Sequence, residues 1–408
     1  MKAKSSKTVI FSYQQLSNVG CEIIIRGTIA FLKRAFPGHD LRFVLASYDQ
    51  DRDRRILGDL SDIEIVPMLP WKRYVRGALV KLKLERYFWT PRFATRHLRK
   101  ADLFVSVGGD IYTMSGNALP KDWLGYEKFA THHGIPSIMF GANMEKFEVL
   151  TPSDRARLIA HLKRFRLIAV RDLKTVGYLA QHGVTDNIAF FPDPIFMLRP
   201  SPVFSGGSVR VIGLNISPLI LRDYGEGIFE HFAQLVTDLV EKGYDVRLLP
   251  HVYASDRNPS LDDRTTLRRL HNVLAENVRK KVKLYEQSVS FEDIARAIDE
   301  VDLFVGARMH SCLNALTLGK PTYFLSYSSK ARTMVDWLVK GAFSPVANRI
   351  GFGAADKISV DDVLGLIAAH EEAAQDGEVR IDVSEILNTS PVWDTIAASG
   401  LAEGEQSL

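Results

Sequence analysis

Cysteine is almost absent from this 408-residue chain, which has only Cys21 and Cys312. Two thiols this far apart form no metal-ligand spacing and no disulfide framework, which excludes zinc ribbons and disulfide-stapled scaffolds and points to a reducing compartment. No run approaches the roughly 20 apolar residues that a spanning helix needs. The first apolar run, Thr8 to Phe11, is too short for the core of a signal peptide. The glycine fingerprint of dinucleotide-binding proteins is missing too. Together these absences predict a cytoplasmic protein without a resident cofactor or metal.

Acidic residues are scarce in one place. Between Trp71 and Lys100 there are ten basic residues, and Glu85 is the only acid. That segment carries +9 where the whole chain carries +4, so the remainder is net acidic. Trp71, Tyr74, Tyr87, Phe88, Trp89 and Phe93 are interleaved with the charges. A basic amphipathic helix with aromatic residues is expected to lie on an anionic membrane surface, and an ordinary solvated face is the alternative. The modest overall charge and the lack of recognition motifs argue against nucleic acid.

What is present is a regular alternation of short β-rich apolar runs and longer helical patterns. Strands are predicted near 8–13, 41–47, 63–69, 102–107, 136–142, 167–171 and 188–192, then near 209–216, 245–249, 282–286, 302–306 and 321–326. Helices fit between them, the basic stretch 73–99 among them. Continuous apolar strands are buried on both faces, so the pattern predicts two α/β Rossmann-like domains with parallel sheets and a cleft between them. Pro200, Pro202, Gly206 and Gly207 mark a linker at 199–208. The expected division is 1–200, 209–345 and an extension over 346–408 that ends in a frayed tail. An internal echo supports two similar domains. Asp102-Leu-Phe-Val runs into Gly108-Gly109-Asp110, and Asp302-Leu-Phe-Val runs into Gly306-Ala307-Arg308.

In open α/β sheets ligands sit beyond the carboxyl ends of the strands. The chemistry-bearing residues cluster there. Gly306-Ala-Arg308-Met-His310-Ser joins a strand to a helix, where backbone N–H groups and the helix dipole favour an anion. Arg308 adds a planar fork for carboxylate or phosphate, and His310 can hold or give a proton near neutral pH. The bland alternative is that Arg308 pairs with a structural acid and His310 caps the helix. Arg171 in Ala-Val-Arg-Asp occupies a similar turn, and there an Arg171–Asp172 pair is the alternative. Lys330 follows hydroxyl residues after another strand and can hold phosphate. Asp110 follows two glycines and can orient or deprotonate a hydroxyl. Asn18 lies in the first strand-to-helix turn, with a helix cap as its plain reading. His251 follows a strand.

In order along the chain, Asn18-Val-Gly20-Cys21, DLFVSVGGD, AVRD, Asp193-Pro194 and GARMHSCLNALTLGKPTYFLSYSSK resemble the polysaccharide pyruvyl transferases over roughly residues 8–340. The resemblance implies a GT-B-like architecture, phosphoenolpyruvate (PEP) as donor and a sugar diol as acceptor, and the basic segment 71–100 is expected to dock the enzyme at the inner membrane face beside a lipid-linked acceptor. It implies that Arg171, Arg308, His310 and Lys330 bind PEP, with His310, Arg308 and Asp110 catalytic. Asn18, Glu22, Asp110 and His251 are the acceptor-side candidates. The family often has Asp where this chain has Cys21, so Glu22 is a substitute there. Two other readings stay open: a glycosyltransferase of the same architecture using a nucleotide sugar, and a two-lobed protein that captures an anion without chemistry. The segment after His310 offers only Asn314 and Asp336 as a ribose or sugar ligand, which weakens the first.

Overall fold

The computed structural model describes residues 5–12, 15–47, 49–67, 97–114, 119, 121–253, 261–286, 290–326 and 329–398. Most of the basic segment 71–100, and with it the expected membrane-surface helix, lies outside the described residues.

The chain divides into two compact units. The first comprises residues 1–16, 24–194 and 387–408. It is built on a seven-stranded sheet of order β3-β2-β1-β4-β5-β6-β7. The strands are β1 (Ser5–Ser12), β2 (His39–Ser47), β3 (Ile63–Pro67), β4 (Leu103–Thr113), β5 (Ser137–Glu145), β6 (Leu167–Val170) and β7 (Ile188–Phe190). All neighbours pair in parallel. Strand β5 is buried from Ser137 to Met144, as the apolar run Ile138 to Ala142 at its centre requires.

Helices α1 (Val19–Ala35), α2 (Lys121–His132), α3 (Pro152–Leu162) and α4 (Leu173–Gln181) connect these strands. Thr151 caps α3 through Asp154 N–H, and Pro152 occupies its first turn, where no N–H is needed. A buried polar chain ties α2 and α3 to β4. Tyr112 Oη lies 2.8 Å from His161 Nε2, and His161 Nδ1 lies 2.8 Å from Glu127 Oε2. Arg164 donates to both oxygens of the same carboxylate. Burial alone would raise Glu127. Hydrogen bonds from His161, Arg164 and Thr131 outweigh it and bring the group to about 2.

The second unit comprises 17–23 and 195–386. Its six-stranded sheet has the order β11-β10-β9-β12-β13-β14, also parallel throughout. After the short β8 (Val203–Phe204) come β9 (Val211–Asn215), β10 (Asp245–Leu248), β11 (Val282–Leu284), β12 (Leu303–Gly306), β13 (Thr322–Ser326) and β14 (Ile350–Ala354). Helices α5 (Ile228–Glu241), α6 (Asp263–Val273), α7 (Phe291–Asp299), α8 (Met309–Thr317) and α9 (Val360–Glu372) belong here. The core joins Ile212, Leu214, Phe232, Val246, Leu267 and Val305 across sheet and helices. A small antiparallel pair, β8 with β15 (Val379–Arg380), completes it.

Several boundaries differ from the sequence reading: the second unit takes in 17–23 and starts again at 195, so the expected linker at 199–208 lies within it. The stretch 346–386 is no separate extension: β14 pairs with β13 as the sheet's sixth strand, and α9 packs in the same core. Its glycines and modest apolar content hid that strand. Beyond Asn388, where the sequence pattern weakens, Val392–Ala398 forms α10 in the first unit, and residues 399–408 of the expected frayed tail lie outside the described residues. There Trp393 lies 4.9 Å from the Phe31 ring and beneath the Arg34 guanidinium.

The four-residue echo has a common physical basis. Asp102 Oδ2 accepts from Thr8 N–H at 2.7 Å, and Asp302 Oδ2 accepts from Val211 N–H at 2.9 Å. The backbone N–H of each aspartate donates to the same residue it receives from. Each therefore fastens the start of one central strand, β4 or β12, to the strand beside it.

Candidate functional site

In the second sheet the strand order reverses between β9 and β12. The carboxyl ends at such a reversal open a crevice that later connections do not cover. Asn215 ends β9 and lies opposite Gly306, which ends β12. Asn215 is fully buried, and its side chain organises the turn. Its Oδ1 accepts from Arg308 N–H at 3.1 Å and from Ser311 Oγ at 3.3 Å. Its Nδ2 donates to Leu249 O and to Asp263 Oδ2.

Arg308 is the residue before α8, and its own side chain does not cap that helix. Its Nε and one terminal nitrogen donate to Asp263 Oδ1 at 3.2 and 2.8 Å. Asp263 is completely buried, while the Arg308 side chain is 13% exposed. The acid's other oxygen accepts backbone N–H groups of His251 and Val252. The pairing with a structural acid foreseen as the bland alternative is thus present, and it fixes the guanidinium plane at the helix start. Asn215 and Asp263 were missed from the sequence. The only signals were an Asn closing an apolar strand and an Asp opening a helix.

His310 lies in the first turn of α8, half-buried. The turn Asn18-Val19-Gly20 belongs to the same unit and packs against it. Asn18 forms an antiparallel bridge with Val252. Val19 N–H donates to His251 O at 3.1 Å, and Tyr253 N–H to Ser17 O at 2.7 Å. A side chain on Gly20 would place its Cβ 2.6 Å from His310 Nδ1, closer than real Cβ contacts allow. Glycine there is the condition for seating the imidazole. Asn18 Oδ1 accepts Gly20 N–H at 2.9 Å, so Asn18 serves as a cap for the start of α1. Glu22 is buried too, and its Oε2 accepts Phe291 N–H at 2.7 Å, at the start of α7. That bond turns the carboxylate to helix capping rather than outward.

His251 is 1% exposed. Burial, and then the charges of His310 and Arg308, hold its imidazole well below the ordinary histidine value. Cys312, within α8, is buried and its thiol is pushed far up by that burial, so it is packing rather than a nucleophile.

Arg171 and Asp110 belong to the first unit. Arg171 is 4% exposed. Its Nε donates to Asn143 Oδ1, and Nη1 donates to the buried Asp193 at 2.9 Å. The partner is therefore Asp193 of the Asp-Pro pair, not Asp172, which caps α4 through Thr175 N–H. Pro194 in turn packs on α1, where a Cβ on Gly27 would fall 2.1 Å from its carbonyl oxygen. Asp110 is on β4 and Lys330 on the helix Ser329–Lys340; their side chains lie outside the described residues.

Two parallel sheets in two α/β units, with the polar cluster at a strand reversal, define a two-domain α/β protein of the GT-B type. Solved structures show the same fold. UDP-GlcNAc 2-epimerase from Neisseria meningitidis bound to UDP-GlcNAc is similar at a TM-score of 0.57 and 11% identity, over 97% of this chain and 99% of that one. HepE of Anabaena in complex with UDP-glucose is similar at 0.57 and 13%, over 96% and 100%. At these identities the likeness concerns the fold alone. No curated protein matches in sequence. Residues 18–329 match the model of the polysaccharide pyruvyl transferase family, and the chain belongs to that family.

Proposed function

We propose that this transferase moves the pyruvyl group of PEP onto two hydroxyls of a sugar and leaves it there as a cyclic ketal. The observation that carries the reading is His310 seated against Gly20 beside Arg308, at the start of a helix beyond the β9/β12 reversal. PEP carries a carboxylate and a phosphate. An oriented guanidinium and a helix N-terminus suit either group.

His310 is the general acid. It gives its proton to the PEP methylene carbon, which becomes a methyl group, and C2 gains oxocarbenium character. One sugar hydroxyl oxygen bonds to C2 and its proton passes to a base, for which Asp110 is the candidate. The C2–O bond to phosphate breaks, inorganic phosphate leaves, and the second hydroxyl closes the ring at C2 with loss of its proton. Arg308 offsets the donor's negative charge, and Lys330 adds a cation to the same ligand. Arg171 acts at one remove, by holding the Asp193-Pro194 turn. Asn18 and Glu22 support the acceptor side through the helix ends they cap. The acceptor is a polysaccharide or lipid-linked sugar, met in the cytoplasm at the inner membrane face, with 71–100 as the docking segment.

Calorimetric titration of PEP, and separately of nucleoside diphosphates, into the wild type and His310→Ala tests this. PEP binding kept in the variant, with phosphate release lost, is the expected result. Binding of a nucleotide but not PEP transfers the case to glycosyl transfer. A variant that loses affinity but turns over normally at saturation removes the acid role.

A further inference from the structure

His251 poses a problem of its own. Its ring is buried, and among the described residues neither Nδ1 nor Nε2 has a hydrogen-bond partner. A neutral imidazole carries one donor and one acceptor, and buried polar groups are nearly always satisfied. Leaving both unmade is unfavourable, and a ligand group that meets the ring would remove that cost.

The backbone shows that the ring is placed on purpose. His251 N–H donates to Asp263 at 2.9 Å, and its carbonyl accepts Val19 N–H at 3.1 Å. The residue is pinned on both sides, between the acid that orients Arg308 and the turn that seats His310. Arg308 and His310 are the charged side chains whose fields reach the ring. Asp263, which accepts the His251 backbone N–H, is taken up by Arg308, Asn215 and two backbone N–H groups. The ring therefore borders the start of α8, where cationic and N–H groups converge.

We propose that His251 is a third ligand-binding residue of the Arg308–His310 site, donating a ring N–H to an oxyanion of the bound ligand. In the donor reading above, on which this assignment rests, that oxyanion is the carboxylate or phosphate of PEP. A neutral donor suits the position. Arg308 and His310 already supply charge, and a third cation would raise repulsion among them. The ring also belongs to the donor side, since it lies beside the anion-binding residues, and not with the acceptor sugar as the sequence suggested.

The test compares wild type, His251→Phe and His251→Gln in thermal melts and calorimetry with PEP, inorganic phosphate and pyruvate. Phenylalanine keeps a flat ring of similar size and removes the unsatisfied nitrogens. The free Phe variant is expected to melt at or above wild type, to lose most of the PEP-induced gain, and to bind PEP roughly 10- to 100-fold more weakly. Glutamine, which keeps an N–H donor, should retain part of the gain. Phosphate and pyruvate show which oxyanion the ring meets. A Phe variant that melts no later than wild type and keeps the whole PEP gain overturns the assignment, because His251 is then packing or holds only a water.

If the Phe variant fails to fold, ring-nitrogen NMR of the wild type decides. A His251 N–H resonance that moves downfield with PEP or phosphate supports the contact, and one that stays put refutes it. A wild type stabilised by phosphate but not by PEP keeps the oxyanion contact and removes the donor reading. A wild type unmoved by all three ligands removes the contact itself.

Discussion

Replacing Gly20 by alanine should disable the site while leaving the fold intact. Gly20 is in the first turn of α1 with ordinary helical backbone, because it is not among the residues at positive φ. Alanine is the better helix former by about 1 kcal/mol, so the backbone has no objection. The new methyl, however, would lie 2.6 Å from His310 Nδ1 and 3.1 Å from Cγ. Ordinary contact starts near 3.4 Å, so the imidazole must withdraw by about 1 Å or turn about its χ angles. A displacement of that size in a reacting group costs on the order of 100-fold in rate. The helix gain and the strain should nearly cancel, leaving stability within about 1 kcal/mol of wild type.

Gly27→Ala is the matched control. Its Cβ would fall 2.1 Å from the backbone carbonyl of Pro194, which cannot rotate away. That variant should lose about 1–3 kcal/mol of stability. The assays are denaturant unfolding for both variants, and PEP binding with phosphate release for Gly20→Ala. A Gly20→Ala protein with wild-type turnover, in which the His310 ring signals are unmoved, refutes the argument that this contact sets the imidazole.

Four further outcomes are expected. Asp263→Asn keeps the shape but removes the charge that holds Arg308, and it should weaken PEP binding by about tenfold in calorimetry while lowering stability. Glu127→Gln leaves Arg164 and His161 facing an uncharged amide in a buried site, and urea unfolding should record a loss of about 3 kcal/mol. His161 and His251 have folded-state values held below the ordinary 6.5, chiefly by burial. As pH falls below 6.5 the unfolded chain binds protons that the folded one does not, so each ring costs about 1.4 kcal/mol per pH unit until the folded ring itself protonates. Melting temperature should therefore decline below pH 6.5, and His251→Phe should flatten part of that slope. Glu127 has a depressed value, so its contribution holds above about pH 4.5 and is lost only as pH falls towards 2. Finally, the protein should sediment with anionic vesicles at low salt and be released by added salt; no sedimentation excludes a membrane role for 71–100.

The parallel sheets were legible because strands buried on both faces leave unbroken apolar runs, as Ile138 to Ala142 does. The start of α8 was legible for the same kind of reason. A strand ending at Gly306, a helix stopping at Thr317 and Gly319 beyond it punctuate the sequence directly. Strand β14 was hidden because Ile-Gly-Phe-Gly-Ala carries two glycines. Both sit where a Cβ would meet the Tyr323 ring, so the strand's composition is set by its neighbour across the sheet. Helix α10 was hidden because one residue, Trp393, anchors it through contacts with Phe31 and Arg34 more than 350 positions away.

The site divides along the same line. Arg308 and His310 were found because both lie in one turn, and a turn is local. Asn215 and Asp263 reach that turn from two other segments, and only pairing across the sheet brings them there. Local sequence can reveal which groups meet a ligand. It is silent on the groups that aim them, because the bond between Asp263 and Arg308 spans 45 positions. The same distinction holds for Arg171. Its strand-to-helix turn resembles that of Arg308, yet Asp193, 22 residues on, draws it into the interior. Two arginines in equivalent local settings thus differ by partner. Arg308 is held on its buried acid with part of its side chain left at the surface, while Arg171 is enclosed. The partner that each guanidinium meets is set across the fold, and no local motif records it.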